Sequence, residues 1–68
     1  MSDNQKEITE QALVAILGAI KEYGADAETI AEHAKALTLD SSSNYQVHGD
    51  HTIISEACEA IDNALSKI

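Results

Sequence analysis

Apolar positions recur along this chain at helical spacing. Ile8, Ala12, Ala15 and Ala19 follow a 4-3-4 rhythm, and Leu13, Ile16, Ile20 and Tyr23 follow 3-4-3. Both rhythms are those of one helix, and Val14 and Leu17 widen the apolar surface until the middle of the segment is apolar nearly all round. A helix of that kind needs cover on most sides. The pattern predicts a first helix over about 4–23, opened by Ser2 with Gln5 or Asn4 with Glu7 as capping pairs. Gly24 follows where a left-handed terminating residue is wanted.

Asp26 is placed to cap a second helix over about 27–37, with Ile30, Ala34 and Leu37 as its apolar row and Glu28, Glu32 and Lys35 on the opposite face. The short turn between the two predicts an αα-hairpin. A third helix over about 52–67, capped by Asp50 or Thr52, repeats Ile54, Cys58, Ile61, Leu65 and Ile68 at 4-3-4-3. Two heptads are too few to argue a coiled coil. Glu56, Glu59 and Asp62 make an acidic row beside this seam. The remaining segment, 38–50, reads as a loop, with a short extended piece where Tyr45 and Val47 alternate with polar neighbours. Loops beyond roughly 12 residues are uncommon in small domains and tend to serve contact or function.

The expected fold class is therefore all-α: one acidic domain, 1–68, of two or three helices. Self-association follows from size. A chain of about 60 residues buries only about 60% of its unfolded surface, and small scaffolds add disulfides, a metal or a second copy. Cys58 is the only cysteine, so no disulfide forms within one chain. Two short helices cover an all-round apolar first helix poorly. A homodimeric helical bundle is expected, with Leu13, Ile16, Leu17, Ile20, Ile54, Cys58, Ile61 and Leu65 as its core and dimer positions.

Charge narrows the partners. Twelve acids stand against four lysines and no arginine, for a formal charge of −8. Direct nucleic-acid or anionic-membrane binding needs clustered cations, which are missing. A protein with a basic surface, or a basic groove that normally holds nucleic acid, is attracted by such a field. The longest apolar run, Ala12 to Ile20, falls well short of the ~20 residues that span a bilayer. The lone thiol and the acidic, polar start predict a cytoplasmic protein.

Chemical motifs are sparse. His48-Gly49-Asp50-His51, with Cys58 seven positions after His51, holds zinc-compatible donors. Cys58, however, falls on the heptad seam, where a free cysteine acts as a small hydrophobe. No metal site and no cofactor are expected. The serines lack a strained nucleophile elbow, so no enzymatic activity is expected. His33 reads as a boundary residue of the second helix. Leu39-Asp40-Ser41 resembles the phosphopantetheine attachment site of acyl carrier proteins, which are also short, acidic and helical. In that family the serine opens a helix with leucine next; here Ser42, Ser43, Asn44 and Tyr45 follow, so the carrier function is not transferred. A helix-turn-helix reading fails on charge, because the second helix carries Glu28 and Glu32 where a phosphate-facing reader needs cations.

The expected function is a non-catalytic protein-binding module: a small acidic dimeric regulator or inhibitor. Its sharper form is a phage-type inhibitor of a host defence or regulatory protein that mimics nucleic-acid charge. The alternative is a structural or assembly subunit acting through self-association, with a metal-binding or carrier protein ranked below both. Glu28, Glu32, Tyr45, His48, Glu56, Glu59 and Asp62 are the expected partner contacts.

Overall fold

The computed structural model describes residues 4–68. They form three helices, α1 (Asn4–Glu22), α2 (Ala27–Leu39) and α3 (His51–Leu65), and no strand occurs among them. Asn4 lies inside α1 rather than capping it, because the helix already includes that residue. The other predicted cap, Ser2, lies outside the described residues.

Local chemistry explains each boundary. After α1 the Ala25 amide donates to the Ile20 carbonyl and the Gly24 amide to that of Lys21, at 3.2 and 3.0 Å. This paired closure needs a left-handed residue, and Gly24 supplies it at φ 90°. Asp26 then caps α2: its Oδ1 accepts from the Glu28 and Thr29 amides, and its Oδ2 from the Thr29 hydroxyl at 2.9 Å. These bonds favour the ionised carboxylate, so Thr29, through its hydroxyl first and then its amide, holds the Asp26 pKa below the ordinary 3.8. Of the two candidate caps for α3, Asp50 takes the role, accepting from the Thr52 and Ile53 amides at 2.8 and 3.4 Å.

The connection between α2 and α3 is shorter than the expected 38–50 segment. Thr38 and Leu39 stay helical, with the Thr38 hydroxyl donating to Ala34 O and the Asp40 amide to Ala36 O. Residues 41–45 then form turns, and 46–50 run on without a turn or a strand to Asp50, itself extended at φ −66° and ψ 129°. Asp40 accepts from the Ser42 amide and hydroxyl, the Gln46 amide donates to Ser43 O, and the Gln46 side chain donates to Thr38 O at 2.9 Å. The segment is thus tied back onto the end of α2.

Helix α3 packs along both α1 and α2, which touch each other less. The apolar seam of α3 is used within its own chain: Ile61 and Ala64 are buried against Leu17 of α1 and Ala31 of α2, with Leu13, Val14, Ile20, Ala34, Leu65 and Ile68 packed around them. Among the described residues only Leu17, Ala27, Ala31, Ile61 and Ala64 are buried. Three of these are alanines, each hiding little more than one methyl group. Since apolar burial yields about 0.8 kcal/mol per CH₂, Leu17 and Ile61 supply most of the core's stabilisation. The arrangement is correspondingly open. Its extents are 33 × 33 × 16 Å and its radius of gyration is 12.2 Å, against about 10.9 Å for a compact 68-residue domain.

Candidate interaction surfaces

Helix α1 presents two different faces. Leu17 points inward at 5% exposure, with Leu13 and Ile20 half-buried beside it. The opposite face carries Ile8, Ala12, Ala15, Ile16 and Ala19, all exposed, and Tyr23, also exposed, continues it just past the last helical residue, its amide still donating to Ala19 O. Ile16 is 57% exposed and Tyr23 92%. Ile16 was expected among the core and dimer positions; within one chain it lies outside the core. A 3.6-residue turn places it about 100° from Leu17, far enough to leave the buried side. Ile54 and Cys58 are half-buried and Leu65 packs against the core cluster. Ile53, which the α3 row had omitted, stands exposed at the edge of a groove between α1 and α3.

The acids fall into three groups. Asp26, Asp40 and Asp50 are held by their own backbone amides, as caps or in a turn. Glu10, Glu32 and Asp62 are paired with lysines. Lys35 Nζ lies 2.7 Å from Asp62 Oδ1 on α3 and 3.1 Å from Glu32 Oε2 on its own helix, and Lys67 lies 3.1 Å from Glu10. The Asp62 and then the Glu32 hydrogen bonds hold the Lys35 pKa above the ordinary 10.5. Among the described residues, Glu7, Glu22, Glu28, Glu56 and Glu59 make no ion pair. Of the expected contact acids, Glu28, Glu56 and Glu59 are exposed and in no ion pair within 4 Å, whereas Glu32 and Asp62 share Lys35, which ties α2 to α3. The Glu32–Lys35 spacing was visible in the sequence; the third member, Asp62, is brought in only by tertiary packing.

Glu56 and Glu59 line an open groove of about 460 Å³ with Ile53, Gln5, Lys6 and Thr9. The groove joins the acidic face of α3 to the start of α1. Tyr45 and His48 are both exposed on the 40–50 connection. Tyr45 is 71% exposed and its amide donates to Ser43 Oγ, so the turn presents the ring outward.

The zinc-compatible cluster does not assemble. Asp50 Oδ1 is occupied by two amide donors. His51 and Cys58 are seven residues apart on one helix, a separation of about 10 Å along the axis, too far for ligands sharing one ion. No group of three such donors gathers among the described residues. Ser41 lies in the turn that follows α2 rather than opening a helix, consistent with the departure from the acyl-carrier pattern. No helix among the described residues is long and apolar enough to cross a membrane.

No protein-family model, curated protein or solved structure matches the chain. The surfaces themselves carry the functional argument.

Proposed function

We propose that this protein is a non-catalytic binding module, an acidic homodimer that engages a partner protein through a basic surface on that partner. The observation that supports this most is the separation of two exposed surfaces. The outer face of α1 is apolar, while Glu56 and Glu59 of α3, with Glu28 of α2, expose carboxylates that make no ion pair within 4 Å, although Lys6 shares the groove of the first two. One surface suits self-association and the other suits a cationic partner. Tyr45 adds an exposed aromatic of the kind that dominates binding energy when it is buried in a contact.

A formal charge of −8 on 68 residues draws in basic grooves at long range and repels nucleic acid. On this reading the protein competes with nucleic acid for a basic site, as an inhibitor or regulator, and the phage-type inhibitor of a host defence or regulatory protein is its sharpest form. The test uses an immobilised chain to capture partners from cells, alongside the Glu56→Gln/Glu59→Gln double variant. Capture should weaken with added salt and with the double substitution, and the captured protein should release bound DNA or RNA when the chain is added. Capture that is indifferent to both salt and the substitutions contradicts the reading.

A further inference from the structure

The outer stripe of α1 is symmetric about its own centre. Ile8 and Tyr23, Ala12 and Ala19, and Ala15 and Ile16 are each equidistant from the midpoint between residues 15 and 16. A two-fold axis through that midpoint, perpendicular to the helix, superposes each position on its counterpart in an antiparallel neighbour. We propose that α1 pairs antiparallel with α1 of a second copy, with Ile8 against the partner's Tyr23, Ala12 against the partner's Ala19, and Ala15 against the partner's Ile16. This rests on the self-association reading above and assigns it a surface, an orientation and a register.

Three observations select a second copy as the occupant. The first is the self-complementary spacing, since an isologous two-fold contact requires each residue and its counterpart to meet twice. The second is charge. From Gln11 to Ile20 there is no ionised side chain, so the stripe offers nothing to the cationic partner that the acids of α3 attract. The third is area. The chain exposes 5071 Å² for a mass of 7.3 kDa, whereas a folded monomer of that mass exposes about 4,200 Å². The excess, about 900 Å², is a whole-chain figure of the size of the ~800 Å² that each partner of a standard interface contributes, and the exposed Ile8, Ile16 and Tyr23 place part of it on this face.

Orientation follows from the flanks. Parallel pairing would set Glu22 beside the partner's Glu22 and Glu7 beside the partner's Glu7. In this register antiparallel pairing sets Glu22 level with the partner's Thr9 and Glu7 level with the partner's Gly24, which separates the like charges along the helix. The alanines at three of the six stripe positions let the axes approach toward the near end of the ~8–10 Å range for packed helices. Antiparallel helices also oppose their dipoles favourably.

Disulfide trapping tests the register. In a Cys58→Ala background, chains carrying Ile8→Cys and chains carrying Tyr23→Cys are mixed and oxidised under gentle conditions, and each is also oxidised alone. The proposal expects a mixed Ile8→Cys/Tyr23→Cys disulfide, and little cross-linking of either variant with itself. If sedimentation shows a dimer but Ile8→Cys cross-links to its own copy, the antiparallel register is overturned while self-association stands. If both variants and the wild type sediment as single chains, the self-association reading fails with it. A control Ile16→Glu, on the exposed face, should keep its helical circular dichroism while weakening the dimer about a hundredfold, because each dimer then buries two charges. A control dimer that is unweakened removes the stripe from the interface.

Discussion

Leu17 and Ile16 are sequence neighbours of similar volume, yet one is 5% exposed and the other 57%. The contrast extends to whole helices. Helix α3 gathers its large apolar residues mostly on one side and satisfies them within the chain, leaving a polar outer face of Thr52, Ser55, Glu56 and Glu59. Helix α1 carries apolar residues on opposite sides, and the single chain covers only one of them. Periodicity is sufficient to determine how a one-sided helix is oriented. A two-sided helix leaves one apolar side uncovered, and the difference between α1 and α3 identifies that side as the face carrying Ile16.

The largest effect separates the two neighbours directly. Leu17→Ala should destabilise the fold by about 2–5 kcal/mol, a cost typical of truncating a buried leucine. For a domain of this size that is most of a total stability of about 3–10 kcal/mol, so helical circular dichroism should be largely lost at ambient temperature. At dilutions where the chain is single, Ile16→Ala should change the unfolding free energy by no more than about 0.5 kcal/mol, since there it truncates an exposed side chain. Equal losses from the two would erase the distinction between the faces. Next in size, Gly24→Ala should cost about 1–2 kcal/mol, because an L side chain must then sit at φ 90°; thermal melts read this. Asp50→Ala should cost about 1 kcal/mol through loss of the α3 cap, and Asp50→Asn should recover most of it.

The smallest effects are in pH. The Asp26 carboxylate is held below 3.8 by Thr29 and that of Asp40 by Ser42. Their stabilisation is full above the unfolded-state value and is lost as pH falls through the lower folded one. The reverse holds for Lys35, raised above 10.5 by Asp62 and Glu32. Its contribution is present below 10.5 and is lost as pH rises through the higher folded value. Melting temperature should therefore decline at both extremes. Lys35→Met should weaken the alkaline decline, and Asp26→Ala the acid one.

Much of the fold was legible in the residue pattern. The three helices, the glycine stop after α1, and the Asp26 and Asp50 caps all follow from local chemistry, which depends on residues only a few positions apart. Helix α2 runs two residues past the end of its apolar row, because Leu39 is apolar but exposed and the bonds that carry the helix to it come from Thr38 and Asp40. The interaction surfaces were partly legible. Glu56 and Glu59 could be placed on the outer face of α3 by spacing alone. That Glu32 and Asp62 share Lys35 could not, since 27 residues separate Lys35 from Asp62. Nor could the pattern of α1 say which apolar side faces inward, because both sides are equally periodic. Leu17 was selected for the inside by Ala31 and Ala64, whose small side chains let three helices converge on it.

On the proposed reading the inner face of α1 folds the chain and its outer face joins it to a second copy. The most direct measurement is sedimentation equilibrium of the wild type and Ile16→Glu across micromolar concentrations, with circular dichroism on the same samples. The proposed pairing predicts twice the 7.3 kDa chain mass for the wild type, a dissociation constant about a hundredfold higher for Ile16→Glu, and matching helical content in both. A wild type that sediments at one chain mass throughout, or an Ile16→Glu variant whose dissociation constant equals the wild type's, would contradict it.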